Sequence, residues 1–181
     1  MKRYSAVCIL VTLAAAAPAT LGAQSTALSI GSASPRWDGS GAFSGFVMKG
    51  DLVWRDPNRF LDWRASGSFT QLGGGIGPTG DRLPPAQVYG LSASAILSPP
   101  GHFARAPRLS RLPYLAGGPG LYGYRSFMDF RLGWHLAAGL QTTVRQWILF
   151  GEATLTSLNR SDSSTGFPES RIRSLSIGIR R

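Results

Sequence analysis

The sequence predicts an all-β chain, an eight-stranded antiparallel up-and-down transmembrane β-barrel. Three observations lead there. Apolar and polar residues alternate at period two in one segment after another. Between those segments lie turn-rich stretches, and 23 Gly and 12 Pro in 181 residues disfavour long helices. The chain also opens with an export leader. Other classes drop out on composition. A single Cys excludes a disulfide framework and a Cys-based zinc site. Aromatics at 10% are too many for a disordered chain.

The leader is read first because it sets the compartment. Lys2 and Arg3 form a basic start, Tyr4 to Ala17 carries no charge, and Leu21, Gly22 and Ala23 precede Gln24. This is the layout of a secretory signal peptide cleaved after Ala23, leaving residues 24–181 as one barrel domain. Cleavage removes Lys2, Arg3 and Cys8, so the mature chain carries 17 basic and 9 acidic residues and no thiol. A thiol-free chain suits an oxidising envelope. After the leader, no stretch reaches the roughly 18 apolar residues of a membrane helix.

The strands follow in order. Leu28 and Ile30 alternate with Ser29 and Gly31. Ala42–Trp54 sets Phe46, Met48, Leu52 and Trp54 against Lys49 and Asp51. In Leu61–Thr70, Leu61, Trp63, Ala65, Gly67 and Phe69 oppose Asp62, Arg64, Ser66, Ser68 and Thr70. Val88–Leu97 puts Tyr89, Leu91, Ala93, Ala95 and Leu97 against Gly90, Ser92 and Ser94. Leu112–Tyr124, rich in Gly and Pro, has no clear phase. Phe130–Val144 is the clearest case, with even positions apolar along nearly its whole length and Arg131, His135 and Gln141 on the odd face. Trp147–Ser157 sets Trp147, Leu149 and Leu155 against Glu152, Thr154 and Thr156, and Leu175, Ile177 and Ile179 form the last greasy stripe.

The breaks alternate in length. Asp56–Arg59 and Arg145–Gln146 are tight, whereas Ser34–Gly41, Gly73–Pro85 and Asn159–Ser170 are long, the pattern of an outer-membrane barrel. Ser98–Arg111 is longer and Arg125–Asp129 shorter than that rule prefers. An even strand number then puts both termini in the periplasm and the long loops outside.

Two barrels fit this pattern. In a soluble periplasmic barrel the greasy face points inward and encloses a small apolar ligand. In a membrane barrel it faces lipid. The polar faces favour the second, because they are mostly Gly, Ser, Ala and Thr, and Lys49 is the only mature lysine. Lys49, Arg64 and Arg131 balance Asp51, Asp62 and Glu152, as a narrow lumen requires of buried charge. Trp54, Trp63 and Trp147 lie beside the short turns, while Tyr122, Tyr124 and Phe130 lie at the opposite strand ends, giving two expected aromatic girdles.

A specific register follows from turn chemistry. Asp56, Pro57, Asn58 and Arg59 suit a type I turn. A hairpin closed on it sets Trp54 opposite Leu61, Leu52 opposite Trp63 and Asp51 opposite Arg64. An Asp51–Arg64 contact inside the barrel is the expectation.

Three stretches of this chain have a familiar order and spacing. They are Arg111–Tyr124 with its Pro-Tyr-x-x-Gly-Gly-x-Gly core, Trp134–Leu140, and Leu149–Ala153 with Phe-x-Glu-Ala. Together they resemble the outer-membrane protein β-barrel domain family, small eight-stranded barrels like OmpA, OmpX and OmpW. The resemblance implies a non-enzymatic integral protein of the bacterial cell outer membrane, with a structural or surface-interaction role and at most a narrow pore. It implies outer-membrane lipid, lipopolysaccharide and the barrel-insertion machinery as partners. Such chains commonly end in an aromatic residue, whereas this one ends Ile179, Arg180, Arg181.

Catalytic and cofactor chemistry is not expected. His135 points to the lumen with no Ser two residues on, and His102 has no acidic neighbour in sequence. Gly73–Gly80 lacks the Lys-Ser/Thr of a phosphate loop. Arginines are scattered, with Arg105, Arg108 and Arg111 the densest group, so nucleic acid is not an expected partner. No metal constellation is present in the sequence.

Overall fold

Alternation at period two becomes a wall with two faces once each strand finds two neighbours. The computed structural model describes residues 25–35, 45–54, 61–76, 82–83, 85–98, 112–124, 129–159 and 171–181. The stretch expected to be a leader, the expected Asp56–Arg59 turn, His102 and Arg105, Arg108 and Arg111 lie outside the described residues. The strands are β1 Ser25–Pro35, β2 Gly45–Trp54, β3 Leu61–Leu72, β4 Gly75–Ile76, β5 Arg82–Leu83, β6 Ala86–Leu97, β7 Leu112–Tyr124, β8 Asp129–Val144, β9 Trp147–Leu158 and β10 Arg171–Arg180. Eight of them close a barrel in the order β1-β10-β9-β8-β7-β6-β3-β2, each pairing antiparallel with its neighbours. β4 and β5 form a short separate hairpin within the stretch expected to be one plain loop, Gly73–Pro85.

Closure joins the first and last strands of the barrel. β1 pairs with β10, and Thr26 and Arg181 exchange two backbone hydrogen bonds of 2.9 Å. The start of β1 and the end of β10 therefore sit at one rim, beside the tight Arg145–Gln146 turn, whose Arg145 takes φ 57°. A barrel with no free edge has every interior strand partnered, the condition for backbone to cross a bilayer.

The greasy face is the outer one. Twenty large apolar side chains, from Leu28 to Ile179, stand exposed on the described wall, and buried Asp, Arg, Glu and His lie within. This corrects the soluble alternative, which needs the same residues inside. A water-facing wall this apolar would be an aggregation surface, whereas lipid solvates it.

β7 lacked a phase because small residues occupy both its faces. Its register with β8 supplies one, since residues opposite each other in a pair share a face. Tyr122 pairs with Arg131, and Tyr114 pairs with Gly139. Tyr114, Ala116 and Tyr122 are buried inside, whereas Leu115, Pro119 and Leu121 face out.

The β2–β3 register also departs from expectation. Trp54 pairs with Trp63, Leu52 with Ala65, and Asp51 with Ser66 rather than Arg64. Each β2 residue is paired two residues further along β3 than a turn closed on Asp56–Arg59 would set. A slip of two preserves both faces, and it brings the two tryptophans directly opposite each other.

Candidate functional site

The lumen is layered along its axis. At the rim holding the termini, Ala27, Val53, Ile96, Tyr114, Ala116, Ala137 and Phe150 form one apolar cluster. Toward the other rim, Ala33, Val47, Leu72, Val88, Tyr122, Leu158 and Ile172, with Ala86, form a second. Between them lies a polar belt centred on Glu152 of β9, which is 1% exposed.

Glu152 gathers its partners from around the barrel. Lys49 Nζ of β2 donates to Oε1 at 3.1 Å and to Thr154 Oγ1 at 2.8 Å, and Thr154 in turn donates to Oε1 at 3.1 Å. Arg64 Nη1 of β3 donates to Oε2 at 2.6 Å, and Tyr114 OH of β7 donates to the same oxygen at 3.0 Å. Ser176 Oγ of β10 donates to the Glu152 backbone oxygen at 3.4 Å. Five strands thus meet on one residue. Each partner is a donor, as an ionised carboxylate requires, and removing it would leave two cations buried without a charge partner of this quality.

Tyr114 reaches Glu152 by crossing β8 where β8 has no side chain. A Cβ on Gly139 would collide with the Tyr114 ring, so only glycine leaves the ring its path.

Of the six charges expected to line the lumen, four join here. Arg64 Nη1 also lies 3.9 Å from Asp51 Oδ2, so these two meet diagonally and not as a directly opposed pair. Asp62 is buried one step nearer the termini on the same face of β3. Arg131 is half-buried at the far end of β8, opposite Tyr122. Arg180 was not expected inside. It is buried, and its Nη2 donates to Gln141 Oε1 at 2.6 Å. Its even position opposite the greasy odd face of β10 was the available signal.

A second feature was missed. Ser94 Oγ of β6 and His135 Nε2 of β8 lie 2.8 Å apart, 1% and 5% exposed. Gly118 of β7 stands between them, paired with His135. A Cβ there would strike the carbonyl oxygen of Ala93. The residues are 41 apart in sequence, so no local motif announces them. His135 Nδ1 has no partner among the described residues, nor do Ser29 Oγ, Asp51 Oδ1 and Arg64 Nε.

The aromatic assignments divide. Trp63 (57% exposed), Trp147 and Phe130 stand on the outer wall, and Trp54 pairs with Trp63. The Arg181 guanidinium lies 5.5 Å over the Trp147 ring at the rim of the termini. Tyr122 is corrected: it is 6% exposed inside the second apolar cluster, because its partner Arg131 faces the lumen. Tyr124 lies at the end of β7, paired with Asp129, and its side chain lies outside the described residues. At the same end of the wall, Phe46, Phe69 and Tyr89 were not expected to cluster. Their rings contact across β2, β3 and β6 at centroid distances of 5.7 and 5.2 Å. Among the described residues no group of three or more His, Cys, Asp or Glu side chains could hold a metal ion.

The architecture can now be compared with known proteins. No protein-family profile matches the chain, and no curated protein is similar to it in sequence. Solved structures do match. Neisserial surface protein A (NspA) aligns with TM-score 0.62 and 15% identity over 86% of this chain and 95% of its own. The outer-membrane enzyme PagL aligns with TM-score 0.51 and 15% identity over 86% of this chain and 97% of its own. The fold is that of a small outer-membrane barrel. At this identity the likeness carries the fold alone, and the two matches differ in kind, since PagL is an enzyme.

Proposed function

We propose that this chain is an integral protein of the bacterial outer membrane, non-catalytic, closed to solutes, with a structural or surface-interaction role. The layered lumen carries this reading. Two apolar side-chain clusters bracket a belt in which an ammonium and a guanidinium both donate to one carboxylate. An eight-stranded barrel has an interior just wide enough to be filled this way. The expected orientation places both termini in the periplasm and the segments after β1, β3, β7 and β9 at the cell surface, where interaction would occur. Outer-membrane lipid surrounds the wall, and the insertion machinery meets β10 despite its basic end.

The Ser94–His135 pair is the one observation that favours an enzyme. It supports catalysis poorly: both residues lie inside the wall, and no described carboxylate orients His135 through Nδ1. A fluorophosphonate probe should leave Ser94 unlabelled. Labelling lost in Ser94→Ala would sink the non-catalytic reading.

In planar bilayers the purified chain should add no steady conductance to the lipid baseline, and a stable open level would refute closure. In cells it should stay with the outer membrane through a high-salt wash and come off only in detergent. Protease outside intact cells should cut within residues 159–170 or 73–85 and spare 98–111. The reverse pattern would invert the orientation.

A further inference from the structure

The apolar wall is not equally tall around the barrel. On β2, β3, β6, β7 and β9 five successive outward positions are apolar or glycine, as from Leu61 to Phe69 on β3 and from Trp147 to Leu155 on β9. On β8 the outward stripe runs from Phe130 to Val144, broken at Thr142. Where β1 meets β10 it is short. β1 carries Leu28 and Ile30 between Thr26 and Ser32, and β10 carries Leu175, Ile177 and Ile179 between Arg173 and Arg181. Leu28 pairs with Ile179 and Ile30 with Ile177, so the two short stripes coincide, and Ser34 pairs with Arg173 above them. Polar residues thus close on this seam from both rims.

The stretch from Leu175 to Ile179 covers about 13 Å of strand, against about 27 Å for the stripes on the other strands. With strands tilted by about 40°, these become about 10 and 20 Å across the bilayer, where a barrel usually presents an apolar band about 25 Å tall. Tilting the whole barrel cannot relieve the shortfall, because β9 and β2 flank the seam on both sides with full-height stripes. Arg173 can reach toward water, but Thr26, Ser32 and Ser34 are too short to do so. The seam is also hollow. A groove of about 780 Å³ crosses it along direct partners, from Leu140 through Gly151, Ile177 and Ile30 to Met48. That line is oblique to the bilayer normal, so acyl chains that fill the groove leave upright packing.

Charge and hydroxyl held at hydrocarbon depth are unfavourable, whereas a bilayer thins at modest cost, so the lipid yields before the wall does. A second copy seated on the seam about a two-fold axis would instead stack Arg171 and Arg173 against their own copies. We propose that the β1–β10 seam thins the hydrocarbon layer beside it, so that the protein deforms the membrane on one side of its wall. The inference rests on the lipid-facing reading of the wall and not on which rim is outside.

Two positions at one depth test it. Direct partners traced around the barrel climb from Trp54 at the rim of the termini to Ser34 at the other, so a level line falls behind them by about one residue per strand. Leu136 pairs with Leu155 and Leu155 with Arg173, which makes Leu175 the β10 residue level with Leu136. The sole Cys is Cys8, in the expected leader, so Leu136→Cys and Leu175→Cys each carry one nitroxide label. Labelled barrels in phosphatidylcholine vesicles, with myristoyl or with oleoyl chains, are read by collision with oxygen and with a water-soluble nickel chelate. In oleoyl vesicles the chelate should reach the Leu175 label several-fold more often than the Leu136 label. From myristoyl to oleoyl chains the Leu136 label should deepen while the Leu175 label keeps its depth. Extending the stripe with Ser32→Leu and Arg173→Leu should make the Leu175 label deepen as well. A Leu175 label that deepens with chain length on the unextended wall overturns the proposal, whatever the extended variant does. A Leu175 label hidden from both reagents and broadened by a second label overturns it in favour of a second copy on the seam. A Leu136 label as open to the chelate as one in water removes the lipid-facing reading itself.

Discussion

The two faces of β8 place opposite demands on neighbouring residues. Leu136 stands 54% exposed on the outer wall, whereas His135 and Ala137 on either side of it are 5% and 1% exposed within. Outside, each position needs only to be apolar, because lipid is a uniform solvent with no directional contacts. Inside, each buried polar atom needs a named partner at a set distance, because a buried group without one loses the hydrogen bonds it would make in water. The wall is therefore specified residue by residue and the lumen is specified as a network. The wall should tolerate apolar exchange broadly, and the lumen should fail at its hub.

The largest expected effect breaks that hub. Glu152→Ala leaves Lys49 and Arg64 buried without their shared carboxylate and should cost about 3–5 kcal/mol in denaturant unfolding from lipid vesicles. A smaller loss than from a charge placed on the wall would reverse the comparison. That second substitution is Leu136→Arg, expected to cost about 2–4 kcal/mol near the bilayer midplane. Ala137→Ser, one residue away but facing in opposite Thr154, should cost only about 1 kcal/mol, since a hydroxyl is a far smaller burden on the inner face than a charge on the outer one. Equal losses at positions 136 and 137 would mean the two faces are not distinguished by the bilayer.

The same contrast decides what could be read from sequence. The outer face was legible wherever large apolar residues alternate with polar ones, so Phe130–Val144 and Leu61–Thr70 fell into phase unaided. β7 was not, because Gly117, Gly118, Gly120 and Ala116 are small on both faces and only pairing with β8 assigns Tyr122 to the lumen. The composition of the belt was legible, since Lys49, Asp51, Arg64 and Glu152 sit on polar faces. Its centre was not. Glu152 becomes the hub through contacts 88 and 103 residues distant in sequence, and these depend on register around the whole barrel. Register itself was hidden by the period of two: a slip of two residues between β2 and β3 leaves every side chain on its face. Ser94 and His135 were hidden for a related reason, since their meeting point is defined by a glycine on a third strand.

That glycine gives the third test. Gly118→Ala drives a Cβ into the Ala93 carbonyl and separates β6 from β7 where Ser94 meets His135. Overpacking of this kind should cost about 1–3 kcal/mol, and the His135 ring resonances should shift as the serine contact is lost. Gly151→Ala, on the outer wall with open space around it, should be near neutral by the same assay. A Gly118→Ala barrel as stable as the Gly151→Ala one would show that the inner face has slack the packing does not reveal.

The smallest effect is the sharpest on register. Arg64 lies 2.6 Å from Glu152 and 3.9 Å from Asp51, and Asp51 Oδ1 has no partner among the described residues. A directly opposed Asp51 and Arg64, as turn chemistry alone suggests, would make their ion pair the stronger of the two. The observed register instead sets Ser66 opposite Asp51 and turns the guanidinium toward β9. Double-mutant cycles separate the two arrangements, because residues in one network couple by about 0.5–3 kcal/mol according to contact. The Arg64→Ala and Glu152→Ala cycle should sit near the top of that range, and the Arg64→Ala and Asp51→Ala cycle near its foot, at about 0.5–1 kcal/mol. If the Asp51 cycle gives the larger coupling, β2 and β3 are paired two residues closer to their turn, and Glu152 is not the centre of the lumen.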